Sequence, residues 1–398
     1  MKLSKYFMMA AASLALFACS NDEDIPGLNG EGTKSVALKL DGIKSAPVTK
    51  GIGDGHSAST DVTLANVVVA FSDGTNFKKV QKFTTSSDDW NALTTADGAG
   101  VIFHRLPNTV NEVYVIGNVY SSGETPKTEG IIPIENGTVS AWKNIVLDPK
   151  NEQNFNNVTV YGVSESFTPG TEPDDAKGEH SGVNTQYYTA KVTVKPLFAR
   201  FEIGNIQCTN LGNTYTSLDL KVIGLFDTNT KMTIGGSLPS GNKFLSMANV
   251  NEPGTTGLQY TFGESTSDNA AVSWVWDKLT TASLTSNSTL YNPGENGDKK
   301  FVYQFIPNAS TDGKNTQVKL YLEAQGGPAW NNSVVTASFK KTSDNETLES
   351  FEAGNIYTVD YKFTEGDIHP WNPDQEICIN LSVTVAQWGI VALTPDFE

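Results

Sequence analysis

The sequence predicts an all-β protein. Two features carry that expectation. Short alternating or β-branched runs recur along the chain, and clusters of Gly, Asn, Asp, Ser and Pro separate them, the pattern of half-buried strands joined by turns. Helical periodicity with start and stop signals is scarce. In chain order, the first candidate strands are residues 36–40, 62–71, 113–119 and 158–163. Residues 188–194, 198–203 and 218–225 follow, then 301–306, 318–324, 334–339, 356–363 and 377–385. Strands of that length and spacing read as β-sandwich architecture. At 398 residues, two or three domains are expected. Residues 165–186 are rich in Gly, Pro, Asp, Glu and Ser and poor in apolar side chains, the composition of a connector. The expected lobe boundary is therefore near residue 187, and no short-period repeat is evident.

The N-terminus reads as an export signal. Lys2 and Lys5 precede an apolar run over residues 7–17, interrupted by Ser13, which ends in Leu16-Phe17-Ala18-Cys19. A basic start, a short apolar core and small residues at the cut describe a signal peptide. The run is too short to span a bilayer, which needs roughly 20 apolar residues. Leu at −3, Ala at −1 and Cys at +1 form the lipobox pattern of bacterial lipoproteins. Residues 1–18 are thus expected to be a leader, with Cys19 as the lipidated residue that ties the chain to the outer membrane. Ser20-Asn21-Asp22-Glu23-Asp24 then reads as a polar, acidic tether.

The formal net charge is −16, and Arg105 and Arg200 are the only arginines. An acidic chain with so few arginines argues against nucleic acid as a partner, since such binding rests on basic patches. Cys208 and Cys378 remain beyond the lipid site. They could pair in an oxidising compartment or stay as two buried thiols.

The search for chemistry is mostly negative. His56, His104, His180 and His369 are scattered without ligand spacing. No Gly-x-Ser-x-Gly elbow and no P-loop occurs. Glycosidases need a pair of carboxylates at a set separation, and Asp88-Asp89-Trp90 or Glu112-Val113-Tyr114 could supply acids; the plainer reading is a solvated acid beside a core aromatic. Residues 292–298 are oxygen-rich but lack a regular calcium-loop spacing, so no metal and no cofactor is expected. Trp274 and Trp276 share a strand face at period 2, which suits either stacking on sugars or core packing.

Ile377, Ile379, Leu381, Val383 and Val385 form an unbroken apolar face opposite Cys378, Asn380, Ser382 and Thr384. A strand so regular must bury one face. Its continuation, Val383-Thr384-Val385-Ala386-Gln387-Trp388 followed by an apolar segment and Pro395-Asp396-Phe397, resembles the C-terminus of Bacteroidales fimbrillins, the subunits of type V pili. Further segments resemble the same family. Phe103-His104-Arg105-Leu106-Pro107 precedes a strand that ends in Gly117-Asn118. Leu197-Phe198-Ala199-Arg200-Phe201-Glu202-Ile203 resembles its strand opening the second lobe, and Gly354-Asn355-Ile356-Tyr357 its entry to a late strand. None of these motifs is catalytic.

The resemblance implies two transthyretin-like β-sandwich lobes in tandem behind a lipidated propeptide, and a non-enzymatic structural subunit of a cell-surface fimbria serving adhesion. It also implies a maturation step: a trypsin-like protease cuts in the loop after the first strand, and a strand from another subunit fills the groove left behind, a form of β-augmentation. In this chain Val36, Leu38 and Leu40 alternate in the candidate first strand, and Ser45-Ala46-Pro47-Val48-Thr49-Lys50-Gly51 follows. No Arg precedes Arg105, so Lys50 or Lys44 would have to serve as the cleavage site. The implied division is leader 1–18, propeptide 19–50, N-terminal lobe 51–186 and C-terminal lobe 187–398. Residues 377–385, with Trp388, are the candidate donor strand of a homopolymer; alternatively they complete their own lobe. Implied partners are other fimbrial subunits, the outer membrane and a processing protease. A surface glycan-binding lipoprotein and a β-architecture glycoside hydrolase are the rival functions.

Overall fold

The computed structural model describes residues 33–44, 61–94, 100–120, 125–153, 157–171, 186–226, 228–242, 244–245, 276–286, 288–290, 301–307, 317–326, 333–346, 348, 350–368, 377–387 and 389–392. Strands dominate them, and the protein is all-β.

Two sheets enclose the first core. One orders Thr168–Pro169, Gln186–Thr193, Thr33–Asp41 and Val101–Pro107; the other orders Lys195–Pro196, Val160–Ser164, Glu112–Gly117, Asn66–Ser72 and Phe77–Thr84. Val36, Leu38 and Phe103 from the first share one apolar cluster with Val67, Val69 and Phe71 from the second. The rings of Phe71 and Phe103 lie 4.7 Å apart. Asn66–Ser72 is buried at every position. Successive strand side chains point to opposite faces, and here both faces are covered. Phe71 meets Phe103 on one side. On the other, Ala70 stands in register with Tyr114, whose ring is 5.9 Å from that of Trp142 in the short helix Val139–Lys143. A doubly covered strand needs a continuous apolar run, which Val67-Val68-Val69-Ala70-Phe71 supplies.

Residues 62–71, expected as one strand, divide at Ala65 into Asp61–Leu64 and Asn66–Ser72. Asn118 explains the break. It is buried, with a left-handed φ of 56°. Its Nδ2 donates to Thr63 O at 2.9 Å and to Val158 O at 3.2 Å, and its Oδ1 accepts from Ala65 N at 3.0 Å. The carboxamide thereby satisfies main-chain groups that the ladder leaves open at the break.

A nine-stranded sheet encloses the second core. Its order is Trp276–Leu284, Ser217–Phe226, Gln317–Gln325, Ser333–Lys341, Ile377–Gln387, Asn355–Thr364, Ala199–Thr209 and Thr289–Leu290, with Phe301–Phe305 also paired to Ala199–Thr209. Aromatic rings fill it: Phe201 stacks on Phe305 at 4.6 Å, and Phe351 meets Tyr357 edge-on at 4.7 Å.

The chain passes between cores at Phe198 and Ala199. Leu197 and Phe198 belong to the first, and Ala199, Phe201 and Ile203 to the second. Residues 187–196, expected to open the C-terminal lobe, instead complete the sheets of the first. Gln186–Thr193 runs parallel to Thr33–Asp41, and Lys195–Pro196 pairs with Val160–Ser164. The reason lies in the polar stretch 165–186. Thr168 and Pro169 pair with Thr189 and Tyr188, so the described strands at both ends of that stretch belong to one sheet, and its composition marks no border between lobes.

At the junction, Gln153 grips the main chain of Gln304. Its Nε2 donates to Gln304 O at 2.8 Å and its Oε1 accepts from Gln304 N at 3.0 Å. On the facing strand, Arg200 and Glu202 form a buried ion pair at 2.7 Å.

Candidate strand-exchange site

Thr33–Asp41 lies inside its sheet, parallel to Gln186–Thr193 on one side and antiparallel to Val101–Pro107 on the other, with a register shift between Lys34 and Val36. Its alternation explains its place. Val36, Leu38 and Leu40 point into the core and are fully or almost fully covered. The opposite face is also engaged near its start, where Ser35 Oγ and His104 Nδ1 share a hydrogen bond at 3.0 Å. Toward its end, Asp41 O accepts from Val194 N at 3.1 Å, and the exposed Asp41 carboxylate meets Lys191 Nζ at 3.1 Å. Gly42 then turns the chain at φ 85°. A Cβ there would lie 2.9 Å from Val194 O, so only glycine fits.

Lys34 leads the inward face. It is buried, and its ammonium lies 5.4 Å from the ring centroid of Phe167 and 5.2 Å from that of Tyr188. Burial holds its pKa below the ordinary lysine value.

The sequence-predicted donor residues Ile377, Ile379, Leu381, Val383 and Val385 lie in Ile377–Gln387, in the interior of the second lobe's sheet. That strand runs parallel to Ser333–Lys341, from Val335 opposite Ile377 to Lys341 opposite Val383. It is antiparallel to Asn355–Thr364, where Asn355 faces Gln387. Val383 is fully buried. The chain then crosses to the first lobe. Gly389–Ala392 lies between Ile43–Lys44 and Asp61–Leu64 and parallel to both. The sequence reading missed this short strand because four residues show little periodicity. It also missed Lys34, although period 2 places it on the face of Val36.

Lys44 ends the Ile43–Lys44 strand, while Cys19, Lys50 and Trp388 lie outside the described residues. So do His56, His180, His369, Trp274 and the oxygen-rich stretch 292–298. Asp88 and Asp89 are exposed beside buried Trp90. Glu112 Oε2 accepts a hydrogen bond from the Tyr114 hydroxyl at 2.7 Å, as a solvated acid beside a core aromatic would. Among the described residues, no group of three or more His, Cys, Asp or Glu could hold a metal ion, and no helix is long and apolar enough to cross a membrane. Cys208 is a buried free thiol.

No protein-family model matches the sequence, and no curated protein matches it. Solved structures do match. One, described as a candidate cell adhesion protein, comes from Bacteroides eggerthii. It aligns at a TM-score of 0.51 and 14% identity, over 91% of this chain and 98% of its own. This chain shares its fold. At that identity the likeness establishes architecture alone. Looser likenesses are a candidate cell adhesion protein from Parabacteroides distasonis, at a TM-score of 0.49, 15% identity, and 90% and 98% coverage. A fimbrilin from Porphyromonas gingivalis aligns at 0.45, 13% identity, and 91% and 99% coverage.

Proposed function

We propose that this chain is a non-enzymatic structural subunit of a cell-surface fimbria that serves adhesion. It is exported as a lipoprotein through Cys19 and matured by removal of its first strand. The observation that carries this reading is Thr33–Asp41 itself. It is an N-terminal strand, joined to the rest of its lobe through the segment that contains Lys50, and it fills a slot between two partners. Cleavage after Lys50, or after Lys44, frees strand and lipid together. Each fully buried aliphatic side chain is worth about 1.5–3 kcal/mol, so a slot emptied of Val36, Leu38 and Leu40 is a high-energy surface with two open edges. A strand from another subunit relieves it. That contact is head-to-tail and propagates as a filament.

Ile377–Gln387 has partners on both sides in its own lobe, which favours the reading in which it completes that lobe. The likeness in fold to a candidate cell adhesion protein supports a surface role. Immunogold labelling of material sheared from cells tests the proposal, using antibody to residues 61–94. Gold along filaments is expected. Gold confined to membrane fragments contradicts a fimbrial role.

A further inference from the structure

The first lobe buries an amine beside a carboxylate. The side chain of Lys127 is 4% exposed and that of Glu152, 2.8 Å away, is 1% exposed. Lys127 Nζ also donates to Asn157 O and, at 3.3 Å, to Thr159 Oγ1. Both ends of the pair are fixed. Lys127 N donates to Val119 O at 3.0 Å. Glu152 closes the turn Pro149–Glu152, and its Oε2 accepts from Thr159 N at 2.8 Å and its Oε1 from the Thr159 hydroxyl at 2.7 Å. Taking two charges out of water is unfavourable, and burial lowers the Lys127 pKa below the ordinary lysine value, with Glu152 opposing.

Asn157 completes the group. Its Nδ2 donates to Tyr120 O at 2.9 Å, but its Oδ1 is buried without a hydrogen-bond partner. Buried polar atoms are paired as a rule, so such an atom asks for an explanation. The carbonyl that Nζ touches belongs to this same residue, and only Cα and Cβ separate it from the carboxamide carbon, Cγ. A buried amine, a proton acceptor and a carboxamide therefore converge. None of these residues belongs to Thr33–Asp41 or to the strands paired with it.

We propose that Lys127 and Asn157 are a modification site, joined in the folded chain by an isopeptide bond between Nζ and Cγ. Glu152 takes a proton from Nζ and leaves a neutral amine, the nucleophilic form. The Asn157 side chain turns from Tyr120 O, and the Nζ lone pair attacks Cγ. Glu152 passes its proton to Nδ2 and takes a second from Nζ. The Cγ–Nδ2 bond breaks and ammonia leaves, with no oxidant or co-reactant. The product exchanges a buried ion pair for a neutral amide and a neutral carboxyl, and that carboxyl gives Asn157 Oδ1 the donor it lacks. The bond closes residues 127–157 into a covalent ring. That ring contains Gln153, which clasps Gln304 of the second lobe, so the junction is anchored to a segment that cannot unravel under tension.

Peptide mass spectrometry of the full chain, denatured and digested to completion with trypsin, tests this. Trypsin does not cut at an acylated lysine. Peptide 106–143, uncut at Lys127, is expected joined to peptide 151–177, at the sum of their masses less one ammonia. Free peptide 106–127 together with 151–177 at its own mass would overturn the proposal, and this readout needs no variant to fold. In a Glu152→Gln chain the joined species should form about 100-fold more slowly; formation at the parent rate overturns the proton transfer through Glu152. An Asn157→Ala chain should yield only free 106–127, and a joined species there would overturn Asn157 as the partner.

Discussion

Asp73 organises the turn between Asn66–Ser72 and Phe77–Thr84. Its carboxylate accepts from the N–H of Thr75 at 2.9 Å and of Asn76 at 2.7 Å, and it pairs with Lys78 at 2.8 Å. Partial burial pushes the carboxyl up, but the Asn76 and Thr75 N–H groups and the Lys78 ammonium outweigh it and hold it at about 2. A carboxyl depressed in the folded state adds stability above its unfolded pKa and loses it as pH falls through the folded one. The window here runs from the ordinary 3.8 down to about 2. Asp73→Asn should cost about 1–2 kcal/mol at neutral pH and flatten the acid limb in that window; urea titrations at several pH values measure both. An unchanged acid limb contradicts the turn's role. Cys208 is the opposite case. Burial, with Glu365 and Asp367 nearby, pushes its thiol up to about 12. At pH 8 it should resist thiol reagents until the chain is denatured, and rapid native labelling of Cys208, mapped by peptide mass, would show the site to be open. Some of this was visible in the sequence as motifs without reasons. Gly117-Asn118 stood out as a strand ending, but only the fold reveals that the Asn118 carboxamide replaces ladder bonds to Thr63 and Ala65.

Strands with one buried face were legible because alternation survives in the sequence: residues 36–40 sit within Thr33–Asp41, and 377–385 within Ile377–Gln387. Phe77–Thr84 was not. It is an edge strand bearing Lys78, Lys79 and Lys82, and lysines that discourage edge-to-edge pairing also erase the apolar pattern. Trp90–Thr94 and Val139–Lys143 are five residues each, too short for helical period to register. Alternation also cannot say which lobe a strand serves. It left residues 377–385 free to be a donor or a core strand, and the register settles their place between Ser333–Lys341 and Asn355–Thr364. Truncation after Asp374 should therefore unfold the second lobe and leave the first cooperative. Calorimetry should show one transition lost; two transitions of unchanged enthalpy would return that strand to the role of a detachable donor.

Taken whole, the molecule is two cores threaded by one chain that passes between them repeatedly. One crossing is Leu197-Phe198-Ala199, where the apolar side chains change cores within a residue. Met232–Thr233 returns to pair with Val146–Leu147 of the first lobe, and at the C-terminal end Ile377–Gln387 completes one lobe while Gly389–Ala392 joins a sheet of the other. Gln153 and Gln304 clasp the junction. In the sequence, two lobes were readable from strand count and length, but their border was misread, because a polar stretch inside a lobe has the same composition as a linker. This architecture places Thr33–Asp41 and Ile43–Lys44 together ahead of the segment holding Lys50, so the proposed cut there would separate both strands, with the lipid proposed at Cys19, from the remaining chain. N-terminal sequencing of fimbrial material sheared from the cell surface tests that most directly. Chains that begin at Gly51, or at Ser45 after a cut behind Lys44, and that lack Thr33–Asp41 are expected. Filaments composed only of chains beginning at Cys19 would contradict it.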